Sequence, residues 1–321
     1  MAVGQIEMLR LKISAEELAA QIERAVLDQV SADRIVLPAM PRVAARAFML
    51  LRKRDFSVLE VAAVIETDPV VAARLVHLAN SVAFATFTKL ESVLACATRL
   101  GARELSFFLM ETAARQLVEC HDPRIVQICD GLWEHSLSVA ILSHDIVLAL
   151  PGLDAEAAYL AGLLHDIGRP VVAEMLLDAE GRLLGKQVDH WIMPSNWLGI
   201  INRCERTIGL AVTRAWTLPD SVIDAVGLCD QYDDTRPFRL SNVVRLANAL
   251  AAVGGHDLMA RPSCISEGGL CPWSSAAGLE PERSEEIAVI VQQGSSLLGL
   301  DTDTIVGVMT ALPARLAGRM V

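Results

Sequence analysis

Gly162-Leu163-Leu164-His165-Asp166-Ile167-Gly168 sets an adjacent histidine and aspartate at the end of an apolar helical run, with a glycine behind them. Neighbouring residues cannot share one helix face, because face-sharing residues are three or four apart. At a helix C-terminus, however, both side chains can turn toward one ion. An imidazole nitrogen and a carboxylate oxygen together suit a divalent metal, and such a metal can activate water for hydrolysis. The run therefore poses one question: whether the rest of the chain supplies the remaining ligands.

On either side of it the chain offers helix signals in succession. Asp154 stands as an N-cap for the helix carrying the run, Gly168 closes it, and Pro170 starts the next. Upstream, Asp122-Pro123 opens a long helix to about Leu150, in which Ile128, Leu132, His135, Val139, Leu142 and Ile146 form one stripe. Ser57-Val58-Leu59-Glu60 has the form of a capping box, and Asp68-Pro69 is an N-cap with proline in the first turn. A further helix ends at Leu100-Gly101, and Leu37-Pro38-Ala39-Met40-Pro41 cannot be helix interior. Residues 5–31 read as a helical extension, 254–284 as a Gly/Pro/Ser-rich loop, and 284–298 with 302–319 as a final helical pair. Sustained alternation and hairpin signals are missing, so the expected class is all-α.

Composition agrees. Hydrophobic residues make up 53% and aromatics only 4% of 321 residues, which is Ala/Leu/Val chemistry suited to packed helices. Mean hydropathy is +0.40, yet no window approaches the roughly 20 apolar residues of a membrane span. The N-terminus lacks the regions of a signal peptide. Seven scattered cysteines without CxxC spacing read as free thiols in a reducing cytoplasm. A net charge of −11 argues against a general nucleic-acid surface.

The order of short motifs then becomes specific. LPAMP at 37–41, TDP at 67–69, LANS at 78–81, Leu100-Gly101, WEHS at 133–136, the run at 162–168 and AWTLP at 215–219 together resemble the HDOD family, bacterial signalling domains related to HD-type metal phosphohydrolases. The resemblance covers roughly residues 30–250. It implies a two-lobed helical bundle, with an N-terminal helical lobe over 32–121 and a degenerate HD-like lobe over 122–252. Residues 1–31 would be a helical extension, 253–283 a loop, and 284–321 helices packing on the HD-like lobe. It also implies a regulatory role.

An active HD phosphohydrolase has a first histidine, the His-Asp pair, often further histidines, and a late aspartate. Here His135, His165 and Asp166 match the first three. Beyond them the resemblance fails. Glu205 stands where two-metal relatives have a histidine four residues before a glycine, Cys229-Asp230 where a His-His pair is common, and Asn248 where the late aspartate is expected. These exchanges remove charge and mix soft with hard ligands on a site that ordinarily takes Mn, Fe or Mg. The remnant is expected to hold at most a single weakly bound divalent metal, with no cofactor otherwise and no catalysis. His190 is a distant substitute ligand. Trp133, Trp216 and Leu218 are expected in the core, Trp191 and Trp197 at a surface or partner contact, and Cys229 inert.

The expected function is a non-catalytic signalling module with a protein partner or small ligand. A mononuclear phosphohydrolase acting on a nucleotide or phosphomonoester is the second reading. The third is a nucleotide-sensing regulator, for which Arg169, Arg203 and Arg206 are the phosphate-contact candidates.

Overall fold

A computed structural model describes residues 37–81, 89–118, 131–184, 194–256 and 281–317, with single positions beside them. The chain is all-α: α1 Arg42–Leu51, α2 Val58–Ile65, α3 Pro69–Ala79, α4 Val93–Val118, α5 Leu132–Leu148, α6 Ala155–Leu164, α7 Gly168–Leu184, α8 Pro194–Ala215, α9 Asp220–Leu228, α10 Leu240–Val253, α11 Pro281–Leu298 and α12 Thr302–Ala317. No single described helix is long and apolar enough to cross a membrane. Asp122-Pro123, Ile128, His190, Trp191 and the loop over 257–280 lie outside the described residues. Of the N-terminal extension only Glu17, Ala20, Gln21 and Arg24 are described, and all four are helical.

Local chemistry sets the helix starts. Ser57 accepts from the Glu60 N–H, Asp68 from Val70 and Val71 at 2.9 and 3.2 Å, and Asp154 from Glu156 and Ala157 at the same two distances. Each satisfies donors that the first helical turn leaves open. Asn80 caps α3 and clamps the turn beyond it. Its amide donates to the carbonyls of Val76 and Leu90, both at 2.8 Å, and its oxygen accepts from the Leu90 N–H at 2.9 Å. Leu100-Gly101 ends a helical segment as the sequence suggests. Gly101 takes φ 76°, ψ 174°, outside the helical region, and a second helical segment starts at once, so α4 is two helices joined across a kink at this glycine.

Helices α1, α2 and α3 pack on α4, while α5 and α6 form the tightest pair, with α10 against both and α12 against α5. One large hydrophobic core runs through these helices, from Ala44 to Leu316, with a small separate cluster of Ala249, Ala252 and Ile287 where α10 meets α11. Two places join α1–α4 and the segment before them to the later helices most specifically. The Trp216 Nε1–H donates to the Pro38 carbonyl at 2.9 Å, which ties the AWTLP motif to LPAMP. At the α4–α6 junction Phe107 stacks on Tyr159 with ring centroids 4.0 Å apart, and the guanidinium of Arg319 covers both rings at 5.7 and 5.4 Å. The Tyr159 hydroxyl donates to Glu111, and Arg319 donates to Glu111 and Glu104.

Two expectations change. Gly168 does not close α6; it opens α7, and the end of α6 is capped by His165 in ordinary right-handed geometry. Its lack of a side chain serves packing, because a Cβ there would lie 1.9 Å from the Glu205 carbonyl oxygen on α8. Trp197 is no surface anchor: it is buried in α8, on the side that the core pattern of Ile200, Ile201 and Cys204 turns inward. Trp216 and Leu218 are buried as expected, and Trp133 is half-buried.

Candidate metal centre

His135 lies in the first turn of α5, on the apolar stripe that faces the core. His165 and Asp166 follow the last turn of α6, where the chain turns into α7. The tight α5–α6 contact brings the three together: a Cβ on Gly162 would meet the Val139 carbonyl at 2.7 Å. All three are buried, at 2%, 2% and 7% exposure.

The hydrogen bonds define which atoms face inward. His135 Nδ1 lies 2.6 Å from the His256 carbonyl oxygen, and His165 Nδ1 lies 2.8 Å from that of Gly162. A carbonyl only accepts, so each Nδ1 carries a proton, and a ring that carries no other proton presents its lone pair on Nε2. These two Nε2 atoms are 3.2 Å apart, and Asp166 Oδ2 is 3.3 Å from that of His165 and 3.7 Å from that of His135. Facing lone pairs repel until a cation or proton sits among them. Bonds of about 2.1 Å to one ion imply tetrahedral edges of about 3.4 Å, so the spacing of the three donors fits a single metal. Backbone carbonyls orienting the far ring nitrogens are the support that metal-binding histidines ordinarily have. Sequence reading missed the His256 carbonyl, which lies 121 residues from its partner.

For His135 the electrostatics favour the neutral ring. Burial, reinforced by the charge of His165, lowers the His135 pKa from 6.5 to about 4 despite Asp166. Burial opposes the charge of Asp166, but His165, Arg169 and Arg206 outweigh it and hold the carboxyl well below its usual range.

Arg169, Glu205, Arg206, Cys229 and Asp230 gather beside this triad. Arg169 is buried and donates to Glu205 Oε2 at 2.8 Å. Arg206 grips Asp230 through Nε and Nη2, at 3.1 and 2.7 Å. Cys229 is buried, its thiol directed to the Val226 carbonyl; burial pushes its pKa up to about 12, with Arg206 pulling the other way. Burial and the Asp166 charge raise Glu205 to about 7, against Arg169 and Arg206. Asn248 is half-buried on α10, and Arg203 is exposed on α8. Among the described residues, His135, His165 and Asp166 form the one cluster of three or more ligand groups close enough to share an ion. A separate open cleft of about 610 Å³ lies between the α9–α10 connection and α11, with Tyr232, Arg245, Gln292 and Gln293 in its walls.

The two shifted groups make opposite contributions to stability in metal-free protein. Between pH 6.5 and 4 the unfolded chain protonates at position 135 while the folded one does not, so stability is lost as pH falls through that window. The full effect is on the order of 3 kcal/mol. Glu205, raised from 4.5 to about 7, acts in reverse: its contribution is complete below 4.5 and lost as pH rises through 7. Urea unfolding of Glu205→Gln should therefore show stability falling from pH 7 to 4.5, and that of His135→Asn should show it rising. Parallel profiles for the two variants would contradict these assignments.

Among curated proteins none matches the chain. A protein from Shewanella amazonensis SB2B, provisionally named a metal-dependent phosphohydrolase, is 20% identical, with a TM-score of 0.65 over 93% of this chain and 99% of that one. A provisionally named signal transduction protein from Marinobacter aquaeolei VT8 is 19% identical, with a TM-score of 0.61 over 96% of this chain and 67% of that one. An HDOD domain protein of unknown function from Geobacter sulfurreducens is 20% identical, with a TM-score of 0.55 over 92% and 95%. At these identities the likeness establishes the shared fold. The HDOD domain model matches residues 37–232, more than half of the chain and the span that holds all three ligand candidates. The chain belongs to the HDOD family.

Proposed function

We propose that this protein is a non-catalytic signalling module that acts by associating with a protein partner or a small ligand. A single divalent ion held by His135 Nε2, His165 Nε2 and Asp166 Oδ2 would supply Lewis acidity, and in this reading it serves to staple α5 to the α6–α7 turn. The observation that carries the reading is the state of the neighbouring groups. Glu205 and Asp230, at positions where two-metal relatives place ligands, are each held by an arginine, at 2.8 and 2.7 Å. A clamp on both the attacking and the leaving oxygen needs two ions, and these groups are engaged elsewhere. A nucleotide-sensing role would require phosphate to displace the carboxylates from Arg169 and Arg206, which leaves Arg203 as the exposed candidate.

The donor spacing favours one alternative, a mononuclear phosphohydrolase, and a single assay separates the two. Protein stripped with chelator and reloaded with Mn²⁺ or Ni²⁺ is offered a panel of nucleotides and phosphomonoesters, beside His165→Ala. The expected result is no turnover that distinguishes the two proteins. Turnover abolished by His165→Ala would replace the signalling reading with the hydrolase one.

A further inference from the structure

The guanidinium of Arg206 lies on the far side of Asp166 from the two histidines. Asp166 divides its oxygens between the two directions: Oδ2 faces the histidines, while Oδ1 lies 3.8 Å from Arg206 Nη2. The same Nη2 is 2.7 Å from Asp230 Oδ1 and 4.0 Å from Glu205 Oε1. Nη1 donates to the His165 carbonyl and, at 3.2 Å, to that of Val226. Three carboxylates and two backbone carbonyls thus converge on one delocalised cation whose side chain is 18% exposed. Oxygen donors around a central positive charge are the surroundings a hard divalent ion would seek.

We propose that Arg206 is the fixed second cation of this centre and limits it to one metal ion. The proposal rests on the one-ion reading above. A guanidinium remains charged at every physiological pH, so its neutralisation of Asp166 and Asp230 does not depend on metal supply. A second divalent ion would need Asp166 Oδ1, Glu205 and Asp230, the oxygens Arg206 already engages. It would also have to expel a bidentate arginine from a largely buried position, leaving two carbonyls without their donor. Arg169, bonded to Glu205, adds a second positive charge and a further barrier to metal entry.

Metal counting on the full chain tests this directly. Chelator-stripped protein is saturated with Mn²⁺, freed of excess by gel filtration and assayed for Mn per chain, with electron paramagnetic resonance to separate isolated ions from coupled pairs. Wild type and Arg206→Lys should hold one isolated Mn²⁺. Arg206→Gln and Arg206→Ala, which keep the carboxylates and lose the charge, should hold two, with a coupled-pair spectrum. One ion in folded Arg206→Gln and Arg206→Ala overturns the proposal while leaving the one-ion centre standing. No ion in wild type overturns that centre and this proposal with it. If circular dichroism shows that neither neutral variant folds, the wild-type count at saturating Mn²⁺ decides: one supports the proposal and two overturns it.

Discussion

Replacing Arg319 with alanine should destabilise the protein by about 3–5 kcal/mol, the cost of breaking a buried ion pair by removing one partner. Arg319 is 7% exposed and donates to Glu111 and Glu104, while its guanidinium lies over Phe107 and Tyr159. Alanine would leave the Glu111 carboxylate in the core with only the Tyr159 hydroxyl to answer it. Burial already raises the Glu111 pKa, with Arg319 holding it back, so the variant should take up a proton there on folding. The double variant Arg319→Met, Glu111→Gln removes both charges and fills the space. It should recover a large part of the loss in guanidinium unfolding at pH 7. If the double variant is no better than Arg319→Ala alone, stranded charge is not the cause of the damage.

Gly168→Ala should be of similar severity for a different reason. The added methyl would sit 1.9 Å from the Glu205 carbonyl oxygen and 2.8 Å from the Gly209 nitrogen, both of them α8 backbone. No rotamer relieves such an overlap, so α7 and α8 must separate. Overpacking commonly costs about 1–3 kcal/mol and more where the backbone cannot yield; a loss above about 3 kcal/mol is expected here. Gly101→Ala is the informative contrast, because nothing lies within 4 Å of its Cβ position and only the positive φ opposes it. That substitution should cost about 1–3 kcal/mol. Equal melting temperatures for Gly168→Ala and wild type would remove the close-packing argument.

What the sequence revealed divides along physical lines. Caps act within three residues, so Ser57, Asp68 and Asp154 were legible from spacing alone. The His-Asp pair was legible for the same reason, and His135 from its place on a buried stripe and in a family motif. Gly168 was misread because a glycine after a helix signals a stop, whereas this one yields to a backbone nearly 40 residues away in the chain. Trp197 was misread because its surroundings in sequence are irregular, although α8 continues through it into the core. The ion pairs were the least legible. Arg206 reaches Asp230 over 24 residues and Arg319 reaches Glu111 over 208, and no local periodicity announces either. Short-range chemistry thus located the site, while its charge balance depended on packing between helices that the sequence alone does not juxtapose.

The bond from His135 Nδ1 to the His256 carbonyl has a consequence for anyone who cuts this gene. The family segment ends at 232, and a fragment ending there looks complete by homology. It would nevertheless lack the carbonyl that fixes the His135 tautomer, and the His256 ring that approaches Glu134 at 3.3 Å. Without that acceptor the imidazole is free to move its proton to Nε2, which turns an ion ligand into a donor. The unit that keeps this centre intact is therefore longer than the homologous one. It takes in the backbone oxygen at position 256, and the core it stands on continues to Leu316.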